Sequence, residues 1–255
     1  MHTQDGGFVA DAVAALATRE YQSAGDCYSR AAWHVLAEPR AGVSPFAADE
    51  RGSVGTAVQY LVLSAVCYRV ADAPARATNR AVEAIAVARD LKTALSQPIQ
   101  QACLDELVAD CHVVGDLDGA ADAYATAEDA YRTAGADVSN PQKWATAPLF
   151  EAAAAPIKQL ARSGANGELA ITWEDLHGAD PDDSGAFFAH RTRYKHQRFA
   201  SLVEGVVADG FLAAPRGTTE YATTHHRCPA CDSTDVNWVA DSTLCLRCSH
   251  PTEPT

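Results

Sequence analysis

The residues best equipped for chemistry lie near the C-terminus: Cys228-Pro-Ala-Cys231, thirteen residues, then Cys245-Leu-Arg-Cys248. Thiolates are soft ligands. Two Cys-x-x-Cys hooks at this separation can fold back so that Cys228, Cys231, Cys245 and Cys248 meet at tetrahedral geometry around one Zn2+ ion. Four sulfurs close the coordination shell, which predicts a structural site with no position left for an activated water. The competing use of such cysteines is redox pairing. Pro229 suits a knuckle turn, and the expected reducing compartment argues against a disulfide framework. His225, His226 and His250 are near enough to ligate, but the thiolates already saturate the ion. Arg227 and Arg247 flank the knuckles, where they offset the charge of a four-thiolate centre, and Trp238, Val239 and Leu244 offer a small apolar patch.

A second concentration of chemistry is His190-Arg-Thr-Arg-Tyr-Lys-His-Gln-Arg198. The chain as a whole carries a net charge of −13, so four cations in nine residues stand out. On a helix Arg191, Lys195 and Arg198 fall at i, i+4 and i+7, a line that can meet successive phosphates, with Arg193 beside it. The same stripe can equally pair with the acidic helices of its own molecule. Residues 1–185 hold 13 Lys and Arg against 26 Asp and Glu, whereas residues 186–255 hold 7 and 7. The acidic background is thus withdrawn from the C-terminal quarter.

Enzymatic constellations are missing from the sequence. Cys111 and His112 are adjacent and so diverge on a helix, which is wrong for a nucleophile and its base. There is no phosphate-binding glycine loop, serine elbow or His-Glu-x-x-His pattern. The expectation is a protein that is not an enzyme.

The elements that must carry these residues are mainly helices. With 255 residues and 47% apolar composition, the chain can bury a medium core plus a small appendage. Val9, Val13, Leu16 and Ala17 recur at helical spacing, a turn is predicted at Gly25-Asp26, and Tyr28 to Leu36 resume the period. A loop is expected at Pro39, Gly42 and Pro45. Two helices then flank Asp72-Ala73-Pro74, and two more flank Gly115-Asp116. Leu104, Leu107, Cys111, Gly115, Ala120, Tyr124 and Ala127 resemble the tetratricopeptide repeat pattern of large, aromatic, turn and small positions. Val108 departs from that pattern, as does the lack of a terminal proline. The resemblance implies an antiparallel array of helical hairpins over 8–163 whose concave face receives a partner segment. Tyr21, Tyr28, Tyr60, Tyr68, Tyr124 and Tyr131 are the aromatics expected to shape that face. Asn140-Pro141 should cap another helix, and 149–160 should form one interrupted at Pro156. Abundant Asp and only four lysines give a composition similar to that of proteins from salt-loving archaea.

Beyond a boundary at 163–167, residues 168–224 read as an α/β connector. Thr172 caps a short helix, a long helix runs over about 186–209 to Gly210, and 211–224 suggest a two-stranded hairpin, an order that resembles a winged helix. Residues 225–251 form the predicted zinc ribbon. Its 25 or so residues bury too little apolar area to fold without the metal.

The N-terminus lacks a signal-peptide pattern, and the apolar run near Tyr60 to Tyr68 is too short to span a bilayer, which predicts a cytoplasmic protein without membrane association. The sequence therefore predicts a protein-interaction adaptor with a structural zinc ribbon. A transcriptional regulator that binds nucleic acid through the 190–198 helix and the ribbon is the alternative.

Overall fold

The computed structural model describes residues 6–37, 52–178, 180 and 182–255. The loop expected at Pro39, Gly42 and Pro45 lies outside them. The first six helices run in sequence: α1 Phe8–Ala17, α2 Tyr21–Ala37, α3 Gly52–Val70, α4 Pro74–Lys92, α5 Pro98–Val114 and α6 Ala120–Gly135. Each packs on the next. Proline begins α4 and α5, where its missing N–H costs nothing. Positive-φ residues reverse the chain between helices, with Arg19 at 63°, Asp72 at 55° and Asp116 at 54°.

The turn expected at Gly25-Asp26 forms instead at 18–20, and Gly25 lies inside α2. Its glycine answers a close approach. A Cβ there would come within 2.8 Å of the Tyr68 ring of α3.

Four further helices follow: α7 Pro141–Ala145, α8 Pro148–Gly164, α9 Trp173–His177 and α10 Ser184–Asp209. Asn140 precedes α7 as expected. Helix α8 runs unbroken through Pro156, although an interruption was predicted there. Thr172 and Asp175 form a reciprocal capping box on α9. Asp183 caps α10 and Gly210, at φ 59°, ends it.

Helix α8 packs on both α3 and α5, and α10 packs on α5, α6 and α8. One apolar core therefore extends from Ala12 in α1 to Leu212 after α10. The long helix expected in a separate 168–224 connector belongs to this core, because Phe187, Phe188, Phe199 and Val203 are buried in it.

The winged-helix hairpin does not form, since residues 211–217 make no strand. Strand β1, Thr218–Glu220, instead pairs antiparallel with β3, Val236–Val239, and β3 pairs with β4, Ser242–Cys245. Strands β2, His226–Arg227, and β5, Glu253–Pro254, form a second small sheet. Among the described residues no helix is long and apolar enough to cross a membrane.

Candidate metal centre and its seat on the helices

The two cysteine hooks are built to one plan. The N–H of Asp232 donates to the Cys228 carbonyl at 2.9 Å, and the N–H of Ser249 donates to that of Cys245 at 3.0 Å. The N–H of Cys228 donates to the Ser233 carbonyl at 2.9 Å, and that of Cys245 to the His250 carbonyl at 2.7 Å. Four residues past the first cysteine of each hook, Asp232 and Ser249 take left-handed φ of 62° and 58°. That bend turns both sulfurs of a hook to one side.

The four Sγ atoms lie within 4.8 Å of one another. Cys228 and Cys248 are 3.6 Å apart, Cys231 and Cys245 3.5 Å, and Cys231 and Cys248 3.6 Å. A disulfide would need about 2.05 Å. Tetrahedral thiolates at about 2.3 Å from a zinc ion stand about 3.8 Å from one another. The donor set and its spacing thus fit one soft divalent cation. Hydrogen bonding from the Cys248 thiol, then from backbone N–H groups, brings Cys245 down to about 5, while the same thiol pair pushes Cys248 well up. Sulfurs this close oppose one another's ionisation, and a cation at their centre removes the opposition. His225, His226 and His250 are outside the cluster.

The centre is seated on the helices by a residue that local spacing does not reveal. Arg162 of α8 is 3% exposed. Its Nε donates to the Gly167 carbonyl at 3.0 Å, Nη2 to that of Leu246 at 3.2 Å, and Nη1 to that of Ala214. Burial, then the charge of Arg216, lowers its pKa to about 10. One guanidinium fork therefore ties α8, the strand lead-in and the second hook together. The Ser249 hydroxyl accepts from the Ala214 N–H at 3.0 Å. Gly167 is required where it is, because a Cβ would sit 1.7 Å from the Leu246 carbonyl oxygen. Leu244 packs with Val13 and Ala17 of α1. Arg247 reaches Asp235 at 2.8 Å and Glu168, so its guanidinium is engaged by two carboxylates beside the knuckle.

The basic helix is placed differently from the phosphate-facing stripe. Arg191 and Lys195 are 2% and 0% exposed, inside the core. Arg191 grips Glu106 of α5 through Nε at 2.8 Å and Nη2 at 2.7 Å. Lys195 reaches Glu106 at 2.8 Å and Asp110 at 2.5 Å. Tyr131 and Tyr124 donate their hydroxyls to the same two acids at 2.7 Å. Arg193 pairs with Glu128 at 2.9 Å, and only Arg198 of the four is exposed. Neither Arg191 nor Lys195 can meet a phosphate from these positions, so the expectation is corrected for both: their charges are spent inside the molecule.

The tyrosines expected on a binding face are also in the core. Tyr21, Tyr28, Tyr68, Tyr124 and Tyr131 are all buried and Tyr60 is half-buried. Together these features define a mainly helical protein with a C-terminal four-cysteine cluster able to hold a metal ion. No family model, curated protein or solved structure matches the chain.

Proposed function

We propose that the chain is a non-enzymatic interaction protein in which a structural zinc ion holds a ribbon, residues 225–251, firmly against a tetratricopeptide-like helical body. The observation that carries this reading is the pair of matched hooks, which bring four sulfurs to metal-binding distance with a closed shell. The consecutive helices α1/α2, α3/α4 and α5/α6 are the hairpins of the array. Helices α8 and α10 occupy the side that α3 and α5 would otherwise present, so a partner meets the remaining outer surface. There the ribbon offers Trp238, 39% exposed, and the segment leading into it offers Tyr221, 50% exposed.

Protein purified under reducing conditions should contain one equivalent of zinc. Cys228→Ser or Cys245→Ser should release it while the helical circular dichroism remains. Metal-free protein that keeps a folded ribbon overturns the reading. For the partner, capture from native lysate should be lost in a Trp238→Ala variant. Capture that survives this change would place the interface elsewhere.

The nucleic-acid regulator remains the rival proposal, and it has to operate without Arg191 and Lys195. Duplex DNA titrated over a salt series should show no binding that weakens with Arg198→Gln. A clear Arg198-dependent salt slope would favour that rival.

A further inference from the structure

A cavity of about 460 Å³ opens where α2, α3 and α8 meet the 168–173 segment and Pro215-Arg216. Sites for small molecules run from about 300 to 1,000 Å³. Leu63 and Ile171 are buried in its lining, while Leu169 and Trp173, 72% and 40% exposed, stand beside it as large apolar groups open to water.

Two features call for a polar ligand atom. Tyr28 is 1% exposed, and among the described residues its hydroxyl makes no hydrogen bond of normal geometry, with the Gln159 side chain the polar group beside it. Its neighbour Gln159 directs Nε2 to the Ala213 carbonyl at 2.8 Å. Native structures seldom leave a buried hydroxyl unpaired. The second feature is charge. Lys158 and Arg216 both line the cavity, and among the described residues neither has an ion-pair partner. Arg216 bonds only neutral groups, the Gly167 carbonyl and the hydroxyls of Thr219 and Tyr221. The one acid in the lining, Glu168, is already paired with Arg247. Lys158 reaches solvent, yet partial burial and then the charge of Arg191, opposed by that of Glu151, hold its ammonium below the ordinary lysine range. Arg162 lines the cavity as well and donates only to carbonyls, so three cations without an ion-pair partner among the described residues surround it in a chain of net charge −13, which favours an anion there.

We propose that this cavity binds a small carboxylate with an apolar body, its charge held by Lys158 and Arg216 and a further polar atom paired with the Tyr28 hydroxyl. Leu63, Ile171 and the Trp173 ring cover the apolar part. The carboxylate gains charge-assisted bonds that a neutral isostere lacks.

The experiment is calorimetric titration of the full chain with 2-naphthoate and octanoate, against 2-naphthalenemethanol as the neutral comparator. At least one acid should saturate a single site, and naphthoate should bind at least about tenfold tighter than the alcohol. Lys158→Gln should erase that preference. Ala155→Trp, which fills the cavity from α8, should abolish binding while the helical dichroism is retained. Tyr28→Phe should weaken binding without lowering the melting temperature, a pattern that a purely structural hydroxyl would not give. Failure of both acids to bind, equal affinity for acid and alcohol, or unchanged binding in Ala155→Trp overturns the proposal. Unchanged affinity in Tyr28→Phe removes the tyrosine from it.

Discussion

The four-charge cluster of Glu106, Asp110, Arg191 and Lys195 is the most demanding residue-level feature, because ions in a core must recover their lost hydration from one another. Two acids one turn apart on α5 face two bases one turn apart on α10, and the remaining donors reach the Phe150 carbonyl at 3.1 Å and the Ala153 carbonyl at 2.6 Å. Such a cluster fixes how α10 sits on α5 more than it adds net stability. Removing one partner is another matter: Arg191→Met should cost about 3–5 kcal/mol in urea unfolding, since it strands a buried carboxylate. Exposed Arg198→Gln should stay within about 0.5 kcal/mol. The acids also set a pH dependence. Burial opposes ionisation of Glu106, but the charges of Arg191 and then Lys195 prevail and hold it down to about 2, against an ordinary 4.5. Its contribution is present above pH 4.5 and is lost as pH falls toward 2. Burial, helped by Glu106 and opposed by Lys195, lifts Asp110 to about 6, against an ordinary 3.8. That group acts in the opposite sense, stabilising as pH falls from 6 to 3.8. Unfolding free energy should therefore hold or rise from pH 6 to 4.5, turn over between 4.5 and 3.8 and fall below that, and Asp110→Asn should remove the upper limb. A monotonic fall from pH 6 in both proteins would contradict these assignments. The cysteine cluster was legible in the sequence because metal-ligand spacing is local. The charge cluster was not, because its halves are 85 residues apart. A signal did exist: Phe188, Thr192, Lys195 and Phe199 share one helical stripe, which puts the lysine on the apolar face and not on a solvated one.

At the scale of elements, the hydrophobic period located the helices well, and glycine misled where it served packing instead of turning. Gly25 reads as a breaker, yet the reversal falls at Arg19, a left-handed residue with no turn signature of its own. What Gly25 provides is contact between α2 and α3. The Tyr68 ring that rests on it cannot swing aside freely, because its hydroxyl donates to Asp26 at 2.6 Å and Arg76 lies over its face at 4.1 Å. Gly25→Ala should therefore destabilise by about 1–3 kcal/mol through overpacking, despite better helix propensity. Gly205 in α10 is the control, since among the described residues nothing lies within 4 Å of where its Cβ would be. Gly205→Ala should stabilise by about 0.5–1 kcal/mol. Thermal unfolding of the two variants checks this, and shifts of the same sign would show that propensity alone governs both sites. The predicted wing failed for a related reason. β-Branched residues at 218–224 do favour a strand, but β1 finds its partner in β3, beyond the first cysteine hook, and Gly217 lets the chain pass close to the Trp238 carbonyl. Pairing across that distance leaves no local trace.

At the scale of the whole molecule, charge and burial act together. The net charge of −13 understates the acidity of the surface, since among the described residues Arg162, Arg191 and Lys195 are buried against two buried acids, Glu106 and Asp110. Like charges spread over a folded surface repel, and unfolding relieves that repulsion by separating them. Added salt shortens the Debye length from about 10 Å at 0.1 M to about 3 Å at 1 M, so it should relieve the same repulsion without unfolding. The buried cluster and the Arg162 fork are shielded from solvent and should not weaken in step. A gain of about 1 kcal/mol, seen as a rise of about 2–4 °C in melting temperature, is expected between about 0.05 and 1 M KCl. The rise should flatten once screening is complete, and NaCl should match KCl. A melting temperature that stays level or falls over this range would mean that exposed ion pairs such as Arg227 with Asp232, which salt weakens, outweigh the surplus of acid.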